Sequence, residues 1–231
     1  MLNYDQDYYM RYFAQYYNDK LRPEAGVEEC LQWVRARFIG SSWLDVGAGP
    51  TTFFWATAVP MNLRSVIIAD ISDEPLKITR DVVLARAWPQ AYREAVALLA
   101  RDSTHLDKLA HVPLESRVFD AFNNWPTLGK VDSISALGLL GIASDDAQLE
   151  TFAASAHRSL NPGGVLLGAA WEFSEAYARR LGGRRQRLAN IGPVLARWFH
   201  SVAMKHVPLK DDEDYVGIVL FSARMLGATA F

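Results

Sequence analysis

The residues best suited to chemistry stand between positions 44 and 70. The run Leu44-Asp-Val-Gly-Ala-Gly-Pro-Thr-Thr52 joins a short apolar strand to a helix through Gly47, Ala48 and Gly49. Glycines permit a tight turn and let a ligand come close to the backbone. Pro50 suits a helix start, where a missing amide hydrogen costs nothing. The dinucleotide spacing G-x-G-x-x-G fails, because position 52 is threonine. Asp45 precedes the turn, where a carboxylate is odd beside a pyrophosphate but suits a cationic ligand, directly or through the backbone, ahead of the alternative of a helix cap or loop organiser. The next apolar run ends at Asp70, 21 residues after Gly49, followed by Ile71. An acid there can accept both hydroxyls of a ribose. Asp120, with Ala121 beside it, follows a third strand and can accept from an adenine amino group, a part that Asn123 or Asn124 can also fill. Together these residues predict a nucleoside ligand without phosphate and with a positive charge near the glycine turn.

S-adenosylmethionine meets that description. Methyl transfer from its sulfonium is an in-line displacement that asks for alignment and exclusion of water more than for acid–base groups. Where a base is needed, Glu172 is the first candidate, with His206 and His200 behind it. Trp171, Phe173 and Tyr177 can supply flat walls for an aromatic acceptor. His105, His111 and His157 have no ligand-like spacing, so no metal is expected. Cys30 falls on an apolar helix face and reads as core.

These residues need elements to position them. Residues 1–20 are dense in tyrosine (Tyr4, Tyr8, Tyr9, Tyr12, Tyr16, Tyr17), and the i,i+4 pair Tyr12 and Tyr16 shares a helix face. Residues 24–38 read as an amphipathic helix with Val27, Leu31, Val34 and Phe38 on one side. Short apolar strands are expected at 42–46, 65–69, 131–136 and 165–169, with a further one ending at Val118-Phe119. Helices are expected from Thr51, over 74–86 and 89–101, and from an Asp145 or Asp146 cap to Leu160. Asn161-Pro-Gly-Gly164 reads as a sharp turn. Residues 198–207 and 215–223 read as a closing hairpin around the acidic link Lys210-Asp-Asp-Glu-Asp214. The pattern is an α/β fold, an α-β-α sandwich with a mostly parallel sheet and an antiparallel edge. One domain over 1–231 is the simplest division.

Composition narrows the function classes. The chain has 231 residues and a formal charge of -2, which disfavours nucleic acid as a partner. The densest basic stretch, Gly182-Gly-Arg-Arg-Gln-Arg187, reads as a solvated loop or helix end. A single cysteine excludes an internal disulfide, and no apolar run is long enough to span a bilayer. A cytoplasmic protein with no membrane partner is expected, of unspecified oligomeric state.

The arrangement resembles class I SAM-dependent methyltransferases, with their Rossmann-like, mostly parallel seven-stranded sheet and C-terminal antiparallel hairpin. Within them it looks like the nicotinamide, phenylethanolamine and indolethylamine N-methyltransferase branch. The carriers are Tyr12-Phe-Ala-Gln-Tyr-Tyr17, the Gly-Pro-Thr extension of the glycine turn, Leu160-Asn-Pro-Gly-Gly-Val-Leu166 and Gly217-Ile-Val-Leu-Phe-Ser-Ala-Arg224. The resemblance implies that residues 1–38 form a lid, with Tyr12 and Tyr17 closing over the cofactor. It implies Thr51 beside the methionine moiety, Asp70 on the ribose, Asp120 and Ala121 on the adenine, and a wall from Ala136 to Leu140 between cofactor and acceptor. Phe53 stands where the family often has tyrosine, and Pro75 where it has asparagine. Ala170 stands where the amine methyltransferases place an acid for the acceptor. The expected activity is methylation of a small aromatic or N-heterocyclic molecule, with N-methylation preferred. The alternatives are O- or C-methylation in secondary metabolism, an NAD-dependent oxidoreductase, and a catalytically silent SAM-binding protein.

Overall fold

The computed structural model describes residues 6–183, 185–210 and 212–227; Tyr4, Arg184 and Asp211 lie outside the described residues. Strands β1 (Ser42–Val46), β2 (Ser65–Asp70), β3 (Leu114–Val118), β4 (Val131–Leu137), β5 (Leu160–Phe173), β6 (Ser201–Pro208) and β7 (Tyr215–Arg224) form one sheet in the order β3-β2-β1-β4-β5-β7-β6. The first five run parallel. β7 inserts antiparallel between β5 and β6. This is the expected α/β architecture. The inserted antiparallel β7 replaces the last parallel strand of the dinucleotide-binding order, which sets the NAD-dependent alternative aside as a fold.

Both faces of the sheet are covered, so its central strands are apolar on both sides. Trp43, Val66, Ile68, Leu167, Ala169 and Leu220 face one layer. That layer holds α1 (Gln6–Phe13), α2 (Val27–Arg37), α3 (Thr52–Trp55), α4 (Asp73–Ala85), α5 (Gln90–Leu98) and α6 (His105–Leu109). Leu44, Val46, Ile134, Ala136, Leu166, Ala170 and Phe221 face the other, built on α7 (Asp146–Ser159) and α9 (Leu188–Trp198). The short α8 (Glu175–Arg180) follows β5. Cys30 is fully buried, as its place on the apolar face of α2 requires, and burial pushes its thiol well up.

Three local readings are corrected. Residues 89–101 are helical only over Gln90–Leu98, and Ala100 then takes a positive φ of 49°. Asn161-Pro-Gly-Gly164 is an irregularity within β5: Leu160 pairs with Val131 and Val165 with Ser133, so the extra residues loop out of the ladder. Trp198 ends a helix and does not begin a strand, because α9 buries Ile191, Val194 and Leu195 at helical spacing despite Pro193. The N-terminal helix also changes character: α1 gives way to a π-helical turn over Ala14–Asn18 that buries Tyr17.

Candidate active site

Sheet order reverses between β1 and β4, and in open α/β sheets ligands bind at the carboxyl ends of strands at such a point. β1 ends there in the glycine turn. Gly47 and Gly49 have φ of +65° and +52°, the left-handed region that glycine enters without a Cβ penalty. A Cβ on Gly47 would lie 2.8 Å from Leu139, so the turn packs directly on the loop after β4. A Cβ on Gly49 would meet nothing within 4 Å, so that side of the turn is open. The Ala48 amide donates to the Ala69 carbonyl at 3.0 Å. The Gly49 amide donates to Asp70 Oδ2 at 2.9 Å, and the Ser72 amide approaches Oδ1 at 3.4 Å. The turn and the acid at the end of β2 thus form one unit. Burial raises the Asp70 carboxyl while the Gly49, Ser72 and Ile71 amides pull it down.

Asp45 does not face the open side of the turn. Its side chain is 1% exposed. Oδ2 accepts from Thr52 Oγ1 at 2.7 Å and Oδ1 from Ser135 Oγ, which itself accepts from Trp43 Nε1 at 2.8 Å. Burial pushes the Asp45 carboxyl up to about 6, against the hydrogen bonds from Ser135 and Thr52. Its work is to clamp the start of α3 to β1 and β4, which corrects the expectation that its carboxylate meets a cationic ligand. Thr51 is likewise committed: its hydroxyl donates to the Ala48 carbonyl at 3.2 Å and accepts from Trp55 Nε1 at 3.2 Å.

Beyond Asp70, Ile71 is 58% exposed and Val118, at the end of β3, is 55% exposed. They give this edge an apolar surface suited to a flat ring. Asp120 lies beside it, but its oxygens accept from the Phe122 amide and Asn123 Nδ2, each at 2.9 Å. A carboxylate retains further lone pairs, so that use leaves acceptor capacity. Ala121 is buried, and its carbonyl accepts from Trp125 Nε1 at 2.9 Å. Ala136 is fully buried toward the second layer, so its side chain lines no open surface. The wall after β4 is instead made by Gly138 (φ +86°) and Leu139.

On the other side the aromatic residues meet. The Tyr17 ring stands edge-on to Phe54 and Trp55 with centroids 5.0 and 6.0 Å away, and Tyr12 lies 5.7 Å from Tyr17. Trp55 approaches Trp171 at 6.5 Å, and Trp171 approaches Tyr215 at 6.5 Å. Phe173, Tyr177 and Tyr215 complete the cluster at 5.1 to 6.2 Å. Trp171 Nε1 donates to the Ala25 carbonyl at 2.9 Å, which fixes this ring between β5 and the N-terminal segment. Trp171 also passes 3.7 Å from where a Cβ on Gly138 would stand. The cluster therefore reaches the loop after β4 on which the glycine turn packs. Burial raises the phenols of Tyr12 and Tyr17 above their usual range.

Glu172 and His206 come together, though not there. His206 Nε2 donates to Glu172 Oε2 at 2.9 Å across Gly217, where a Cβ would stand 2.5 Å and 2.8 Å from the two groups. Adjacent strand residues point to opposite faces, so this half-exposed pair lies on the side of β5 away from Trp171. His200 is remote from both. Its amide bonds to the Arg224 carbonyl, level with Val165 at the far end of β5. Sequence reasoning missed Gln186. Its carboxamide accepts from the Phe173 amide and donates to the Trp171 carbonyl, both at 2.7 Å. It stands in for a neighbouring strand where β5 outruns β4, and no spacing rule announces such a residue. Among the described residues, no group of three or more histidine, cysteine or acidic side chains could hold a metal. No helix among them is long and apolar enough to cross a membrane.

The seven-stranded, mostly parallel sheet with its inserted antiparallel β7 is a Rossmann-like fold that methyltransferases of known structure share. No protein-family model and no curated protein matches the chain. Among solved structures, it is similar to the N-methyltransferase NodS from Bradyrhizobium japonicum WM9, with a TM-score of 0.58, 14% identity, and coverage of 89% of this chain and 98% of that one. NodS is also known in complex with S-adenosyl-L-homocysteine. Phosphoethanolamine N-methyltransferase 2 of Haemonchus contortus, in complex with S-adenosyl-L-methionine, superposes with a TM-score of 0.63 at 16% identity, covering 97% of this chain and 58% of that one. Precorrin-6y C5,15-methyltransferase from Geobacter metallireducens GS-15 gives 0.53 at 16% identity, with 87% and 88% covered.

Proposed function

We propose that this chain is a SAM-dependent methyltransferase acting on a small molecule, with S-adenosyl-L-homocysteine as the other product. The carrying observation is the Gly49–Asp70 unit: an open glycine backbone hydrogen-bonded to a nearly buried carboxylate. Asp70 would hold the ribose, Ile71 and Ala121 would border the adenine with Asp120, and the backbone of Gly47, Ala48 and Gly49 would lie along the methionine part. Bound there, the sulfonium supplies an electrophilic methyl group. Tyr12 and Tyr17 would close over it as part of a lid that includes α1 and α2, within a single catalytic unit. Asp45, Thr51 and Thr52 support this site by holding the turn.

The acceptor side is the aromatic cluster of Trp171, Phe173 and Tyr177. Its rings favour a flat aromatic or N-heterocyclic acceptor. Because burial raises the neighbouring Tyr12, Tyr17 and Tyr215 phenols and the Glu172–His206 pair faces away, the chain's contribution is alignment and exclusion of water. That favours an acceptor whose nucleophilic atom is already neutral, such as a heteroaromatic ring nitrogen, and so favours N-methylation over O- or C-methylation. Calorimetric titration tests the core of this reading. SAM and SAH should each bind at one site per chain and NAD should not, and Asp70→Ala should weaken SAH binding by more than about tenfold, as loss of a charge-assisted hydrogen bond would. Binding of NAD without SAM or SAH would end the proposal.

A further inference from the structure

The arginine-rich stretch that the sequence suggests is a solvated loop is anchored in the structure. Gln186 is its fixed point: beyond its two bonds to β5, its amide lies 3.3 Å from the Gly141 carbonyl. That bond ties the stretch to the turn following β4, the same loop whose Leu139 packs on Gly47 and whose Gly138 lies against Trp171. The residues on either side of the anchor, Arg185 and Arg187, line a cavity of about 590 Å³ together with Ser144, Leu181 and Gln186. Among the described residues, Arg185 makes no ion pair. Arg187 has only a long contact, 3.7 Å, to Asp146. Asn190 Nδ2 also donates to the two Asp146 oxygens, at 2.8 and 3.0 Å, which holds that carboxylate toward α9. Two arginines therefore line one cavity against a single carboxylate, that of Asp146, which leaves the cavity lining with a net positive charge.

We infer that this cavity binds an anionic group, a carboxylate or a phosphate, carried by the methyl acceptor. The inference rests on the methyltransferase reading for the word acceptor, and on the cavity alone for the anion. Planar guanidinium groups match both oxyanions through paired N–H donors. Gln186 acts as a positioning residue, because its bonds to Phe173, Trp171 and Gly141 hold the arginines in place. An acceptor spanning the site would place its ring against Trp171 and its anionic end beyond the Gly141 turn.

The test titrates the SAH-saturated protein with inorganic phosphate and, separately, with acetate, at constant ionic strength set by chloride. Saturable binding of either at one site per chain is expected, and which of the two binds distinguishes phosphate from carboxylate. Arg185→Gln and Arg187→Gln should each weaken that binding by about tenfold, the size of a lost charge-assisted hydrogen bond, and leave SAH affinity unchanged. Arg64→Gln, at an exposed position on the other side of β1, should change neither. Absence of binding by both anions, or equal weakening by Arg64→Gln, overturns the inference. Should SAH itself fail to bind, the methyltransferase reading falls, while phosphate and acetate titrations of the free protein still decide the cavity.

Discussion

A carboxylate shut away from water and held only by two hydroxyls, as at Asp45, keeps its proton to a higher pH than usual. The sign of its effect on stability follows. With the folded carboxyl at about 6 and the ordinary value at 3.8, the folded chain binds the proton more tightly than the unfolded one. The contribution is therefore full below about pH 4 and is lost as pH rises through about 6, by roughly 3 kcal/mol in all. Asp45→Asn cannot ionise, so urea unfolding between pH 4 and 7 should show a flatter pH dependence than the parent chain. Asp70, also raised by burial, leaves a residual slope of the same sign. An unchanged slope in Asp45→Asn would mean that the carboxyl is solvated or that its proton does not matter. Asp45→Ala should instead lose stability at every pH, because Ser135 and Thr52 would lose their acceptor at about 1–3 kcal/mol each.

At the scale of elements, two glycines show how differently a missing side chain can matter. Gly47 has both a positive φ and a packed neighbour, so Gly47→Ala should cost about 1–3 kcal/mol and displace Leu139, with SAH binding weakened in the same variant. Thermal unfolding with and without SAH checks both effects. Gly217 is crowded only by the ends of flexible, half-exposed side chains, so Gly217→Ala should change stability by less than about 0.5 kcal/mol while parting Glu172 from His206. Methyl transfer should persist in that variant, and its loss would move the base role to the pair. Much of this level was legible in the residues. β1, β2 and β4 are buried on both faces and read as short apolar runs, and the hairpin announced itself through its acidic link. α9 was hidden because Gly192 and Pro193 break helix rules that its apolar spacing otherwise obeys. The Glu172–His206 contact depends on register across β7, with Glu172 opposite Gly217 and His206 opposite Val219, which no residue spacing fixes. Of the site, the acid and glycine positions were readable from spacing. The inward turn of Asp45 was not, because Ser135 and Trp43, which draw it in, come from elsewhere on the sheet.

At the scale of the whole molecule, the sheet separates a layer that touches the proposed cofactor lid from one that does not. Tyr9, Phe13 and Tyr17 join the first layer, with α1 against α4 and the π-helical turn against α5. α7 and α9 pack on each other across the sheet, in the second layer. Local opening is easiest where a segment makes few buried contacts, and a ligand that binds the closed form suppresses it. Aromatic side chains hold the N-terminal segment to the first layer, with Tyr12 and Tyr16 only half-buried. Saturating SAH should therefore slow amide hydrogen exchange across residues 6–18 and the turn at 47–52, and leave the interior of α7 and α9 close to its free rate. Tyr17→Ala should abolish the protection of 6–18 while sparing that of the glycine turn, because it removes the contact with Phe54 and Trp55 but not the Gly49–Asp70 bond. Protection confined to the turn in the parent chain would show that the tyrosine segment packs as ordinary core. Equal protection in both layers would show that the ligand tightens the whole sheet, and a lid would then be the wrong description of residues 6–18.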